Sequence, residues 1–348
     1  MSSYQLVITN EILNLISEID EFKGSWRAIN TLSPDRLSLL KKVATIKSIA
    51  SSTRIEGVKL SDEQVETLLS KVRRKSFKNR DEQEVVGYSD VMDLILENFE
   101  DLKLTENHIK QLHSILLKHS SKDIRHRGEY KKLNNHVVAI DSKGKEIGIV
   151  FKTATSFETP MKMADLIEWA NKALELRISH PLIVVGIFVV VFLAIHPFQD
   201  GNGRLSRIIT NLLLLKLGYS YIQYSSLESV IEHNKDLYYK NLRDCQITLD
   251  SKKPKFENWI LFFLKSLKKQ KDNLEKKIKS EKILQENFDD LHLEILKILK
   301  SHKRLAISDI QRLTKANRNT LKVKLRGLVE MKKVKRFGKN RGVVYEIF

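Results

Sequence analysis

The chain has 348 residues, 42% of them hydrophobic and 30% charged, and its 61 Lys/Arg against 43 Asp/Glu give a net charge of +18. That length holds two or three domains of roughly 100–200 residues each and excludes a small scaffold that needs staples to fold. The single cysteine, Cys245, excludes an internal disulfide and suits a reducing compartment, so a cytoplasmic location is expected.

Few prolines and glycines interrupt periodic Leu/Ile/Lys/Glu stretches, which predicts mostly helix. The first twenty residues, MSSYQLVITNEILNLISEID, carry acids and no basic n-region, so they do not read as a secretory signal. Residues 1–80 are expected to be a helical region. Within it, Asp35 to Glu56 forms one helix that stops at Gly57, and SDEQ (Ser61 to Gln64) has the capping-box form that opens another. KVRRKSFKNR, Lys71 to Arg80, reads as a solvated basic connector.

Residues 81–270 are expected to form a central domain, with helices near 81–99 and 105–120. Two β-branched runs around DSKGKE, Asn135 to Phe151, then predict a hairpin. Helices resume near 160–177, 181–195 and 203–217, and FENWILFFLKSL (Phe256 to Leu267) closes the domain. PLIVVGIFVVVFLAI, Pro181 to Ile195, falls short of the roughly 18 apolar residues that would argue for a membrane span. A helix apolar on every side reads instead as the buried centre of a helical domain, and no membrane partner is expected.

A basic helical linker is expected over 271–284, within a lysine-rich stretch from Lys265 to Lys282. Residues 289–348 hold 16 Lys/Arg against 6 Asp/Glu, so basic character is concentrated at the C-terminal end. LHLEILKILK predicts an amphipathic helix, and SDIQ (Ser308 to Gln311) a second capping box. NRNTLKVKLRGLVE places Leu321, Leu325, Leu328 and Val329 on one face and Arg318, Lys322 and Arg326 on another. A glycine-turned basic hairpin, VKRFGKNRGVVYEIF, completes a winged helix-turn-helix pattern over 285–348. Arg318, Asn319, Lys322 and Arg326 could face a DNA major groove, with Lys335, Arg336, Lys339 and Arg341 forming a wing on phosphate. A DNA-binding regulator is therefore one function class for this unit. Protein docking or homodimer formation is the other use such a unit has.

The most informative stretch is HPFQDGNGRLSR, His196 to Arg207, directly after the apolar run. Gly201 and Gly203 permit backbone angles at which successive N–H groups converge on an anion. A helix beginning near Gly203 adds its positive end, and Arg204 and Arg207 add forked donors, so the composite is a polyphosphate cradle. Asp200 at its mouth could share Mg²⁺ with phosphate oxygens. His196 is the side chain best suited to accept a proton near neutral pH. With no serine or cysteine in a nucleophile-like spot, the histidine would activate a hydroxyl on another molecule. The reaction expected is phosphorus-centred transfer from a nucleotide to an alcohol. A second stretch, SSTRIEG (Ser51 to Gly57), puts Glu56 at a helix C-terminus, where the dipole disfavours a negative charge. Glu56 then faces solvent or has a cation partner.

HPFQDGNGRLSR matches every fixed position of HPFx[D/E]GNGRxxR and so resembles the Fic (fido) family. RGEYK (Arg127 to Lys131), the hairpin and YYKNL (Tyr238 to Leu242) agree with it, and the resemblance covers roughly residues 35–265. It implies a helical Fic core with a β-hairpin flap at 136–152 that docks an extended target segment. It also implies transfer of AMP from ATP to a Ser, Thr or Tyr hydroxyl of a protein. His196 would be the base and Asp200 the Mg²⁺ ligand. The backbone of Gly201, Asn202 and Gly203 would bind the α- and β-phosphates, Arg204 the phosphates and Arg207 the γ-phosphate, while Tyr239 would line the adenine pocket. Ser52, Glu56 and Gly57 fit the family's inhibitory pattern [S/T]xxxE[G/N], which implies that Glu56 pairs with Arg207 and restrains activity. The resemblance leaves open the reverse reaction, removal of AMP, and other nucleotide donors.

Overall fold

The computed structural model describes every residue except 1–3, 5, 29–33, 71–76, 78, 141–145, 252, 288–289, 303, 332, 339–341 and 348. Most of the 71–80 connector, the tip of the hairpin, and Lys339 and Arg341 therefore lie outside the described residues. The chain divides into two units, 1–274 and 275–348.

The first unit is helical. Its elements are α1 (Asn10–Ala28), α2 (Pro34–Ile55), α3 (Asp62–Ser70), α4 (Arg80–Asn98), α5 (Glu106–Leu116), the strands β1 (His136–Ile140) and β2 (Glu146–Lys152), α6 (Thr159–Glu175), α7 (Pro181–Ile195), α8 (Asn202–Lys216), a 3₁₀ turn at Ser220–Tyr224, α9 (Leu227–His233), α10 (Lys235–Gln246) and the first part of α11 (Glu257–Asn287). The apolar run is α7, buried from Leu182 to Leu193 and again at Ile195. With no polar face to offer water, it takes the centre, and α6, α8 and α10 pack around it. Gly186 lets α11 approach. The Trp259 Nε1–H donates to the Gly186 carbonyl at 2.7 Å, and a Cβ at 186 would meet Phe263 at 3.1 Å. The thiol of Cys245 is buried against this core, and burial pushes it up to about 12.

Two helix boundaries follow the sequence signals. Ser61 Oγ accepts the Gln64 N–H at 3.3 Å while Gln64 Oε1 accepts the Ser61 N–H at 2.8 Å, a reciprocal capping box. Gly57 follows α2 at φ +106, a conformation glycine adopts without strain. Two boundaries differ. α5 ends at Leu116 rather than near 120 and gives way to turns. The closing apolar helix and the lysine-rich linker are one helix, α11, whose exposed faces carry i,i+4 pairs such as Lys268–Asp272 and Glu275–Lys279. β1 and β2 pair antiparallel with His136 opposite Lys152, and the register shifts between Val137 and Val138 and between Ala139 and Ile140.

The second unit begins within α11 and continues through α12 (Asp290–Ser301), β3 (Leu305–Ala306), α13 (Ile307–Thr314), α14 (Arg318–Glu330), β4 (Val334–Phe337) and β5 (Val344–Ile347). The strands form an antiparallel sheet ordered β3-β5-β4. Ile295, Leu299, Ile310, Leu321, Leu325, Leu328 and Val334 make its core. SDIQ does not form a full box. α13 starts at Ile307, so Ser308 lies inside it, and only Asp309 caps, accepting the Ala306 N–H at 3.2 Å.

Close helix packing makes one glycine critical and another replaceable. A Cβ at Gly87 on α4 would run into the backbone carbonyl of Leu116, whereas Gly24 on α1 has nothing within 4 Å. Gly87→Ala is expected to destabilise by about 1–3 kcal/mol. Gly24→Ala is expected to be neutral or to stabilise by up to about 1 kcal/mol. Thermal melts of the two variants check both.

Candidate active site

α7 ends at His196, whose backbone is left-handed at φ 53 and turns the chain abruptly out of the helix. The next residues form a loop braced from within. Asn202 accepts the Phe198 N–H at 2.9 Å through Oδ1 and donates to the Phe198 carbonyl at 2.7 Å through Nδ2. Its side chain is thus committed to the loop, and only its backbone N–H remains for a ligand. Gly201 at φ +80 caps α8, so the backbone of Gly201, Asn202 and Gly203 and the positive end of α8 lie together.

Nδ1 of the half-buried His196 lies 3.3 Å from the Leu193 carbonyl oxygen. A carbonyl only accepts, so Nδ1 carries the proton and Nε2 keeps its lone pair. Burial, with Lys131 adding to it against the Leu193 carbonyl and the acids Glu56 and Asp200, holds the imidazole at about 4. It is a neutral base at physiological pH.

The two arginines diverge. Arg207 is 4% exposed and donates from Nε to Ser52 Oγ at 2.8 Å, and from Nη2 to the Ser52 carbonyl at 3.0 Å and to Glu56 Oε1 at 2.8 Å. Burial would raise Glu56, but Arg207 outweighs it and keeps the carboxylate ionised below its usual range. A Cβ at Gly203 would run into that carboxylate. Glu56 has thus been carried from the C-terminal end of α2, where the dipole opposes it, to the N-terminal end of α8, where the dipole favours it. Arg204 turns the other way, 2.9 Å from Glu84 Oε2 and 3.3 Å from Asp200 Oδ1. Asp200 also accepts from the Gly201 N–H at 2.6 Å and from Arg80 at 2.8 Å. Burial would raise its carboxyl, but Arg204, the Gly201 N–H and Arg80 together hold it down.

Tyr239, on α10, is half-buried with its ring 5.1 Å from that of Tyr238. Burial first, then the Glu56 charge, raises its hydroxyl above the ordinary range, so it lies in the field of the Glu56–Arg207 pair. Gly57 shapes the turn that presents Glu56. Arg318, Asn319, Lys322 and Arg326 are exposed on α14 of the second unit, whose Leu321, Leu325 and Leu328 are buried.

Four further residues meet at this site without a local sequence signal. Arg80 and Glu84, 2.6 Å apart on α4, complete the charged ring around Asp200 and Arg204. His113 on α5 accepts the Gly128 N–H at Nδ1 (2.9 Å) and donates from Nε2 to the Asp200 carbonyl (3.0 Å), with its ring stacked 3.8 Å from Phe198. Burial holds it, too, at about 4. Lys131 reaches the carbonyl of Ile195 at 3.0 Å. A histidine among leucines reads as core, and RGEYK does not tell from its own composition which way its lysine turns.

His113 and His196 titrate near 4 when folded and near 6.5 when unfolded. Between those values the unfolded chain binds protons that the folded chain refuses, so stability falls as pH drops from 6.5 to 4. The loss is about 3 kcal/mol for fully buried His113. Chemical denaturation across this window should show it, with a smaller pH dependence in His113→Gln.

Residues 103–214 match the Fic/DOC family. The chain is 28% identical over 207 residues to a protein adenylyltransferase Fic of Drosophila mojavensis, covering 59% of this chain and 38% of that protein. It is 34% identical over 98 residues to a Fido domain-containing protein of Dictyostelium discoideum, covering 27% of this chain and 64% of that one. The alignments thus span about two fifths of the length of the insect relatives. In fold, the chain is similar to a Fic family protein from Desulfovibrio desulfuricans, with a TM-score of 0.65 at 23% identity over 99% of this chain and 98% of that one. It is also similar to Fic-1 of C. elegans, with a TM-score of 0.56 at 17% identity over 78% and 72%. The histidine, the glycine-bounded turn and both arginines lie inside the matched segment, and the chain carries a Fic/DOC-family domain over residues 103–214.

Proposed function

We propose that the chain is a protein adenylyltransferase that moves AMP from ATP to a Ser, Thr or Tyr hydroxyl of a target protein or of itself, and that Glu56 restrains it. One observation carries this reading. A neutral imidazole, whose Nε2 has no hydrogen-bond partner among the described residues, stands beside a helix N-terminus at which the Glu56 carboxylate, from the turn after α2, sits on Arg207. The names of the relatives support the same chemistry.

In this reaction the target oxygen forms a bond to the α-phosphorus, the bond from that phosphorus to the β-bridging oxygen breaks, and pyrophosphate leaves. The hydroxyl proton goes to His196 Nε2. The backbone N–H groups of Gly201, Asn202 and Gly203 take the α- and β-phosphates, with Arg204 beside them. Arg207 takes the γ-phosphate once Glu56 withdraws, and Tyr239 borders the base. An edge of the β1–β2 hairpin pairs with the target's main chain and holds its hydroxyl in line.

The described residues hold no cluster of three or more acids, histidines or cysteines that could cage a metal alone. Asp200, a hard carboxylate with 33% of its side chain exposed, fits magnesium shared with phosphates. Bound there, the ion would neutralise phosphate charge. Arg80 must then release Asp200 Oδ2.

The second unit supports a separate proposal, a winged helix-turn-helix that grips duplex DNA. Helices α13 and α14 precede a hairpin, and Arg318, Asn319, Lys322, Arg326, Lys335 and Arg336 are exposed.

Glu56→Gly is expected to raise labelling by α-labelled ATP about 10- to 100-fold. Adding His196→Ala should lower it about 10²- to 10⁴-fold while ATP binding by calorimetry persists. Full labelling by the alanine variant would remove His196 as the base. For the second unit, the whole chain should shift a duplex less as salt rises, and Lys322→Glu with Arg326→Glu should abolish the shift. A shift unmoved by the double change would sink that placement.

A further inference from the structure

Lys131 is 3% exposed, and among the described residues its ammonium donates only to neutral oxygens: Asn135 Oδ1 at 2.8 Å, Thr153 Oγ1 at 3.0 Å and the Ile195 carbonyl at 3.0 Å. The hydrogen bonds satisfy its donors, but no acid among the described residues contacts it, an arrangement that costs stability and calls for a reason. The partners supply one. Asn135 is the residue before β1 and Thr153 the residue after β2, and Thr153 Oγ1 also donates to the Asn135 carbonyl at 2.5 Å. Both feet of the hairpin are therefore gathered at one ammonium. Ile195 precedes His196, and the Lys131 backbone N–H donates to the carbonyl of Pro197, which follows it, at 2.8 Å. One residue thus holds the peptide carbonyls on both sides of His196. That histidine is a non-glycine residue in left-handed backbone, a conformation that persists only when its surroundings impose it.

We propose that Lys131 is the positioning residue of the base: it clamps the carbonyls flanking His196 and ties them to the feet of the hairpin that receives the target. The same ammonium acts on the imidazole through its charge. The proposal rests on the transferase reading for its consequence in catalysis, but the clamp itself is a statement about His196. The charged groups acting on the imidazole are Lys131 from the loop before β1, Glu56 from the turn after α2, and Asp200 from the loop before α8. Lys131 opposes protonation and the two acids favour it. Lys131 itself is held at about 8, chiefly by burial, with Glu158 and Lys162 as the charges that act on it. It is therefore cationic throughout the range in which His196 titrates.

The test is the titration of His196 by NMR of histidine-labelled full chain, its signal identified as the one missing in His196→Ala. Lys131→Met removes the charge and the donors, and the His196 midpoint is expected to rise from about 4 toward 6.5. Lys131→Gln, which keeps hydrogen-bonding capacity, is expected to give the same upward shift and serves if the methionine variant does not fold. Lys131→Arg keeps the midpoint low. In the Glu56→Gly background, the methionine variant should lose about 10- to 100-fold in kcat with the KM for ATP within about threefold, and the acid limb of its rate profile should move up in pH. A folded Lys131→Gln chain whose His196 titrates as in the parent overturns the proposal. The titration reads Lys131 even in a parent that transfers nothing, so failure of the transferase reading and failure of this one remain distinct.

Discussion

Arg207 is a permanent charge inside a helical core, and an unpaired charge there would cost several kcal/mol. The surroundings of Arg207 follow from that. The C-terminal half of α2 carries Ser51, Ser52 and Thr53 where a core-facing helix would ordinarily carry leucines, and all three are buried. Small residues let the helix come close, and Ser52 offers its hydroxyl and carbonyl oxygens to the guanidinium, while the Ser51 hydroxyl accepts from Arg54 and the Thr53 hydroxyl donates back into its own helix. Arg54 then fastens this end of α2 to α9 through two bonds to Glu232, 2.6 and 3.0 Å, and to α3 through Asp62. Behind Arg207, Asn211 joins its carbonyl to buried Glu228, which Tyr88 and Ser226 also satisfy. Docking of α2, and with it the placing of Glu56, is in this sense the solvation of one arginine.

The parts of this arrangement that one stretch of chain carries were legible in the sequence. Apolar residues on every face required that α7 be central, and twelve consecutive residues delivered the histidine, the turn and both arginines to its end. Ser52 and Glu56 were legible through their likeness to the Fic family's inhibitory pattern; their place at a helix end left Glu56 either solvated or paired with an unnamed cation. Arg80, Glu84, His113 and Lys131 were not. Their partners are remote, 120 residues from Arg80 to Asp200, 87 from His113 to the same residue and 64 from Lys131 to Ile195. Only tertiary packing brings them in, and a lone polar side chain on a helix face gives no hint of which carbonyl it will meet. The fusion of the closing helix with the linker escaped for a different reason. The change in composition near Leu267 looks like a boundary, yet lysine and glutamate are good helix formers and continue what the apolar half began.

Charge at the site is sorted by kind. Asp200 and Glu56 are each kept ionised by an arginine partner, while His113 and His196 are each kept neutral by burial. No carboxylate contacts His196 among the described residues, so the imidazole has no partner to hold it as a cation. His113 serves the same region in a different way. Its fixed tautomer holds the Asp200 carbonyl from below and its ring props Phe198, so the loop that bears Asp200 rests on an aromatic face rather than on solvent.

The bare α-carbon of Gly203 has a last implication. The Glu56 carboxylate reaches the end of α8 only because position 203 has no side chain, and an anionic ligand approaching that helix end would need that emptiness too. Enlarging residue 203 therefore evicts the intramolecular occupant and the intermolecular one together. Whatever distinguishes the two must be altered on α2, where the glutamate is rooted, and not at the seat they compete for.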